Sequence, residues 1–364
     1  MNTPSNSKAL PSSSLSSKME QLVRVLVVDD SAFLRFTLTN RLNNVDGISV
    51  LAAAHDGKEA LELIPALKPD VITLDIEMPH MDGLTTLQQI MAKYPTPVIM
   101  VSNLTTEGSR ETIKALTYGA VDFIAKPSAL VNIETIIDDL IAKIQRAANA
   151  HVFPVVTLSS GVDPKPNSTN PKQTCLHHDQ DKVVVIGSST GGPRALNTVI
   201  NQLSAQLPAS FLIVQHMPVG FTRSLAERLN STSNLLVKEA EPGDTLKNGQ
   251  ALVAPGGFHM VLDENNKIAL NQNPTIHGVR PAVDATLLSV AQKYGKSTIA
   301  VILTGMGNDG TNGAILVHSL GGKVIIEDES TCVVWGMPRS VWEAKAADDI
   351  VPLPDIAKAI ERVL

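Results

Sequence analysis

Cysteine is scarce in this chain of 364 residues: Cys175 and Cys332 are the two it has, and they stand far apart. That excludes a disulfide framework and fits a reducing compartment. No apolar run approaches the ~18 residues a membrane helix needs, so membrane insertion is not expected. Basic charge is short as well. Thirty Lys and Arg against 36 Asp and Glu leave a formal net charge of -6, which argues against a dedicated nucleic-acid surface. The opening stretch MNTPSNSKALPSSSLSSKMEQ has no apolar segment of its own and is Ser-rich. It reads as a disordered extension over residues 1–21, not as a signal peptide. What remains is ordinary globular composition, 43% hydrophobic and 18% charged. The length suits two domains, each with its own core, and a soluble cytoplasmic protein is expected.

From Leu22 to about Gln145, short apolar runs (LVRVLVV, ISVLAAA, DVITLD, PVIMVS, VDFIAK) alternate with segments such as AFLRFTLTNRL and GLTTLQQIMAK, whose apolar residues fall at helical spacing. Five β/α units of this kind predict a doubly wound parallel sheet. Residues 149–181 break the rhythm. HVFPVVTLSSGVDPKPNSTNPKQTCLHHDQD is rich in Pro, Ser, Thr and Asn and reads as a linker. The pair His177 and His178 has only Cys175 nearby and no ligand spacing, so a solvated linker is preferred to a metal site. Alternation resumes at Lys182 (KVVVIGSS, FLIVQHM, ALVAPGG, KIALNQ, STIAVILTGMG, KVIIED) and predicts a second α/β domain over 182–364.

In the first domain Asp29 and Asp30 close the first predicted strand and Asp75 closes the third. Ligands of open parallel sheets bind outside the carboxyl ends of the strands. Three carboxylates there repel one another unless a cation joins them, and hard oxygen ligands suit Mg²⁺. Ser102 ends the fourth strand and Lys126 follows the fifth, with Pro127 behind it. Together these groups would stabilise a phosphoryl group arriving on Asp75. Taken singly, Asp30 or Ser31 is as well read as a helix cap and Lys-Pro as a turn. The combination VLVVDDSAFLR, DVITLDIEMPHMDGL, VIMVS and GAVDFIAKP resembles a two-component response-regulator receiver domain. The resemblance implies a flavodoxin-like fold over 22–148, with Asp75 the phospho-acceptor and Asp29 and Asp30 the metal-binding pair. Ser102 is then the switch hydroxyl, Lys126 the phosphate-contacting lysine and Phe123 the aromatic switch. It also implies Mg²⁺, a histidine-kinase phosphodonor and a regulated output domain.

The output begins at VVVIGSSTGG, four apolar residues and then a turn of Gly, Ser and Thr. A dinucleotide fingerprint fails, because Ser189 takes the place of the second glycine. A P-loop fails too, because Pro193 stands where Lys is required. G-x-S-x-G does match, through Gly187, Ser189 and Gly191, between a strand and a helix. A serine in such a turn is either a helix cap or a nucleophile, and a nucleophile needs a base and a group to orient it. His216 after FLIVQ and Asp309 after AVILTGMGN fall at the ends of other strands. His259 is a rival base, Asp309 could be a turn residue, and His277 and His318 read as loop and helix-face residues. Arg280 and Asp284 either open a helix or border the pocket.

IGSSTGGP, VQHMPVGFTRSLAERLN, EAEPGD, APGGFHM, VRPAVDATL, VILTGMGNDGTNGA and CVVWGMPRS resemble the catalytic domain of the CheB family, the chemotaxis protein-glutamate methylesterases. The resemblance implies a Rossmann-like α/β domain with Ser189 as nucleophile, His216 as general base and Asp309 as its orienting group. Thr190 and Met306 become pocket or oxyanion contributors, and His259 moves to the pocket rim. It implies methylated glutamates on methyl-accepting chemotaxis receptors as substrate, glutamine deamidation as a related activity, and a receiver that covers the active site until Asp75 is phosphorylated. No cofactor is implied for the esterase, and a monomer is expected. The long linker, the Ser-rich start and Gly278–Val279 in GVRPAVDA depart from the family pattern. The competing classes are a DNA-binding response regulator, disfavoured by the acidic charge and the lack of a helix-turn-helix segment, and a non-catalytic receptor-tail adaptor.

Overall fold

The computed structural model describes residues 22–103, 105–126, 133–153 and 182–364. The Ser-rich start, Pro127 and residues 154–181 of the linker, with Cys175, His177 and His178, lie outside the described residues.

The N-terminal half alternates β1 (Val23–Val28), α1 (Ala32–Asn43), β2 (Ile48–Ala54), α2 (Gly57–Leu67), β3 (Val71–Asp75), α3 (Gly83–Lys93), β4 (Val98–Ser102), α4 (Thr106–Thr117), β5 (Asp122–Ala125) and α5 (Ile133–Ala147). All strand pairs are parallel, in the order β2-β1-β3-β4-β5. Every residue of β3 and β4 is buried, as expected of strands covered by helices on both faces. Side chains cap the helices. Ser31 Oγ accepts from Leu34 N, Asp56 from Glu59 N, Asp82 from Thr85 N and Thr105 Oγ1 from Gly108 N. Of the two candidates for the first cap it is Ser31, while Asp29 accepts from the Ser31 N–H.

The C-terminal half runs β6 (Lys182–Ser188), α6 (Gly192–Ile200), β7 (Ala209–Gln215), α7 (Phe221–Thr232), β8 (Leu236–Glu239), β9 (Gln250–Val253), β10 (His259–Leu262), β11 (Ile268–Asn271), α8 (Val283–Tyr294), β12 (Thr298–Ile302), α9 (Thr311–Ser319), β13 (Lys323–Glu327), α10 (Met337–Glu343), β14 (Asp349–Val351) and α11 (Ile356–Val363). Seven parallel strands lie in the order β14-β13-β12-β6-β7-β9-β8, and β10 pairs with β11 in a separate antiparallel hairpin. Winding reverses direction between β6 and β12, and in the first sheet between β1 and β3. Both reversals open a crevice at the carboxyl edge, the usual ligand position of such sheets.

Capping differs between the halves. α6, α7 and α9 follow left-handed glycines, Gly191, Gly220 and Gly310, and none has a side-chain cap. In α6, however, Gly192 N donates to the Ser189 carbonyl at 2.8 Å and Pro193 has no N–H, so the first two positions offer no free donor.

Candidate functional site

The first crevice holds Asp29, Asp30 and Asp75, whose ligand oxygens all lie within 4.8 Å of one another. Lys126 Nζ stands 2.6 Å from Asp75 Oδ2 and 3.4 Å from Asp29 Oδ2. Burial pushes the Asp75 carboxyl up to about 6 against the pull of Lys126, and it raises Asp29 as well. Burial alone would lower Lys126, but Asp75 and Asp29 outweigh it and the ammonium is held above its ordinary range. Asp29 Oδ2 is buried without a hydrogen-bond donor. An unsatisfied carboxylate oxygen among three acids is a poor resting arrangement and a suitable donor set for a hard divalent cation. Ser102 faces elsewhere. Its hydroxyl contacts the Gly108 carbonyl at 3.2 Å and Thr112 Oγ1 at 2.6 Å, both on α4.

The second crevice is built on the turn after β6. Gly191 has φ 78, and a β-carbon there would meet the Val333 side chain at 2.6 Å, so the turn needs glycine on both counts. The adjacent strand ends pair Ser188 with Gln215, which sets Ser189 beside His216. Gln215 is buried and ties the two together. It accepts from Ser188 Oγ at 2.7 Å and donates to the carbonyls of Ser189 and His216 at 2.9 and 3.2 Å. From the other side the Thr304 carbonyl accepts from Ser189 N at 3.0 Å, and Thr304 Oγ1 donates to the Thr190 carbonyl at 3.0 Å. Gly305 approaches so closely that a β-carbon would stand 2.7 Å from Ser189 Cβ.

His216 Nε2 lies 2.7 Å from Asp309 Oδ2. Asp309 is buried, and the first amides of α8 hold it: Val283 N donates at 2.6 Å and Asp284 N at 2.9 Å. Burial alone would raise its pKa, but His216 and these amides outweigh it and keep the carboxyl below its ordinary range. With Nε2 engaged, Nδ1 is the ring nitrogen left for a serine hydroxyl. Among the described residues no hydrogen bond joins Ser189 Oγ to His216, and such bonds often tighten only around substrate. Met306 is half exposed in the loop after β12, beside Gly305.

The remaining histidines separate clearly. His259 opens β10, buried, with Nε2 at 3.1 Å from the Pro274 carbonyl. It is thus a packed residue, where the sequence suggested a rival base or a pocket rim. His277 is the loop residue expected, but its Nε2 reaches Asp284 Oδ2 at 3.1 Å. Asp284 also accepts from Gly313 N and Asn312 Nδ2, so it braces the helix start that holds Asp309. Arg280 donates to the carbonyls of Gln272 and Asn273 and serves the loop. Gln215, Thr304 and the buried Glu327 behind Thr304 escaped sequence reasoning. Their one signal is a polar residue at the end of an apolar strand run, as in FLIVQ and KVIIE.

The first domain rests directly on this second crevice. Thr190 Oγ1 donates to Asp122 Oδ2 at 3.3 Å, and Gly191 N donates to the Val121 carbonyl at 3.3 Å. The Phe123 ring packs on Phe221 with centroids 4.4 Å apart. Arg110 of α4 binds Glu227 of α7 at 3.0 Å. Lys143 of α5 donates to the Phe123 carbonyl and stands 3.4 Å from Asp122, steadying the same strand. Beyond α5 the chain stays on the second domain: His151 N donates to the Val333 carbonyl at 3.0 Å, and the Phe153 ring lies under the Arg194 guanidinium.

Residues 184–360 match the family model described as CheB methylesterase, and residues 25–138 match the response regulator receiver domain. A protein of Symbiobacterium thermophilum named protein-glutamate methylesterase/protein-glutamine glutaminase is 49% identical over 362 residues, covering 96% of this chain and 99% of its own. One of the same name from Thermotoga maritima is 49% identical over 354 residues, covering 94% and 99%. Among solved structures, the Thermotoga maritima CheB methylesterase catalytic domain is 53% identical and covers 50% of this chain and 98% of its own, with TM-score 0.49. The response regulator domain of Thermotoga maritima CheB is 48% identical and covers 36% and 99%, with TM-score 0.35.

Proposed function

We propose residue roles on the premise that this chain belongs to the CheB methylesterase family, with a receiver domain over 22–148 ahead of a catalytic domain over 182–364. The activity is that of a phosphorylation-regulated protein-glutamate methylesterase and protein-glutamine glutaminase. Ser189 is the nucleophile. His216 takes its proton through Nδ1, and Asp309 holds the ring at Nε2 and stabilises the imidazolium. Attack on a glutamyl methyl ester forms a tetrahedral oxyanion. Thr190 and the Met306 backbone at the rim, with the positive end of the α6 dipole behind them, receive it. His216 then protonates the departing methoxide, methanol leaves, and water attacks the acyl-serine to give the glutamate carboxylate. With glutamine the leaving group is ammonia. The substrate side chains belong to methyl-accepting chemotaxis receptors. The observation that carries this reading is the short His216–Asp309 contact, set on the strand end next to Ser189.

Asp75 accepts a phosphoryl group from a histidine kinase. Asp29, Asp30 and Asp75 would hold Mg²⁺, which when bound offsets the charge of the incoming phosphoryl oxygens. Lys126 contacts the phosphoryl group, and Ser102 leaves its α4 partners to do the same. Because α4 and β5, with Val121 just before it, also carry Arg110, Asp122 and Phe123, that movement withdraws the receiver from Ser189, Thr190 and Gly191.

The test is methanol release from methylated receptor membranes with the full chain, with and without a small phosphodonor and Mg²⁺. Ser189→Ala should be silent in all conditions, and Asp75→Ala should lose only the response to the donor. Full release by Ser189→Ala would remove the nucleophile assignment, and an undiminished donor response in Asp75→Ala would remove the phospho-acceptor.

A further inference from the structure

Glu327 ends β13 with none of its surface exposed, beneath a crevice whose chemistry does not use it. A carboxyl group there is costly unless its oxygens are engaged. Oε2 accepts from the backbone N–H of Thr304 at 2.8 Å, and Oε1 accepts from Thr331 Oγ1 at 3.1 Å. Thr331 Oγ1 is itself held by Leu353 N at 3.0 Å, so the acid is anchored from β14's side of the sheet. The facing charged group is Arg194 on α6, which attracts the carboxylate without reaching it as an ion pair among the described residues. The neighbouring Cys332 thiol is buried and kept neutral, its pKa pushed far up by burial and by Glu327. Asp328 and Glu329 follow Glu327 in the chain.

Thr304 is the other end of the link. Its carbonyl holds Ser189 N, in the peptide unit just before the nucleophile's Cα, and its hydroxyl holds the Thr190 carbonyl, in the unit that follows the next residue. The same hydroxyl accepts from Val334 N at 3.0 Å. Glu327 fixes the N–H of the residue that does this, and it does so from a fully dry position.

We propose that Glu327 is a positioning residue for the esterase: through Thr304 it pins the turn at the peptide unit before Ser189 and again at the unit after Thr190, and hence sets where the hydroxyl points. The inference rests on the reading of Ser189 as nucleophile. Burial pushes the Glu327 carboxyl up to about 7, so around neutrality it is present in both protonation states. Either state keeps an oxygen for Thr304 N–H. When protonated, the carboxyl donates to Thr331 Oγ1, which turns its own hydrogen to the Asp328 carbonyl at 3.3 Å. What the site requires is an acceptor oxygen, not a charge, and glutamine supplies one.

The experiment compares the full chain with its Glu327→Gln, Glu327→Leu and Ser189→Ala variants, in the presence of Mg²⁺ and a small phosphodonor. Methanol release gives kcat and KM, and the rate of covalent labelling by a serine-directed fluorophosphonate reports the nucleophile alone. Glu327→Leu should lower kcat and the labelling rate together by at least about 10-fold with KM within about 3-fold, while Glu327→Gln should keep both rates within about 3-fold of the parent. Wild-type kcat in a folded Glu327→Leu protein would overturn the proposal. So would a Glu327→Gln protein as impaired as Glu327→Leu. Should Glu327→Leu not fold, Thr304→Val breaks the next link of the same chain, and unchanged labelling in it would be equally fatal. Turnover retained in Ser189→Ala would instead sink the nucleophile reading, which separates the two failures.

Discussion

Gln215 makes three hydrogen bonds from a buried position, and they join the Ser189 turn to the strand end that carries His216. Gln215→Leu should therefore strand the Ser188 hydroxyl and two carbonyls. A loss of about 2–4 kcal/mol in unfolding free energy is expected by denaturant titration, with kcat reduced more than KM. Buried acids also fix how stability follows pH. Glu327 has its folded pKa raised to about 7, from an ordinary value of 4.5 in the unfolded chain. The native state thus binds the proton more tightly. The associated stability is fully present below about pH 4.5 and is lost as pH rises through about 7. It amounts to about 3 kcal/mol at most, and Glu327→Gln should flatten that part of the pH–stability curve. Asp309, held below its ordinary range, behaves oppositely: its contribution is present above the unfolded pKa and fades in acid. Thermal melts at pH 5 and pH 8 on parent and Glu327→Gln would show whether the difference between them shrinks or reverses.

At the scale of elements, the helices of the receiver and those of the catalytic crevice start by different means, and substitutions there should differ in kind. Asp82→Ala removes a cap from α3 and should cost about 1 kcal/mol with little effect on turnover. Gly191→Ala forces a left-handed residue and a clash with Val333 at the start of α6, and should abolish activity. Docking of α4 on α7 gives a third contrast. Arg110 and Glu227 are each about half exposed, so their pair is worth little, about 0.2–1 kcal/mol. Arg110→Glu should raise unphosphorylated methanol release by no more than about 5-fold, and the reversed pair with Glu227→Arg should restore the parent value. Phe123, buried on Phe221, should matter more. These elements were legible to different degrees. The choice of His216 over His259 came from the family resemblance, while the five β/α units and the strand-end places of the acids, His216 and Asp309 followed from period and position along the chain. The antiparallel hairpin β10–β11, the burial of His259 and the Asp284–His277 brace did not. They depend on contacts between segments far apart in sequence, which local pattern does not encode.

For the whole molecule, the Mg²⁺ site proposed at Asp29, Asp30 and Asp75 would make the protein's stability a function of divalent cation. Magnesium at about 100 times its dissociation constant should raise unfolding free energy by about 2.7 kcal/mol, and Asp29→Asn should remove most of that gain in a calorimetric melt. Motif order along the chain was enough to infer two domains and their roles. It gave no view of how they touch, because an interface of single contacts such as Thr190–Asp122 and Phe123–Phe221 leaves no periodic trace.

The stretch after α5 bears on timing. Residues 150–153 remain attached to the catalytic domain through the His151–Val333 bond and the Phe153–Arg194 contact. If that attachment outlasts withdrawal of the receiver, the receiver swings on a leash of a few residues after Ala147 and does not diffuse away. Re-closure is then a unimolecular event at high effective concentration, insensitive to dilution of the enzyme. The duration of each active period would then be set by the lifetime of the acyl phosphate on Asp75, the proposed acceptor, and not by a search for a partner.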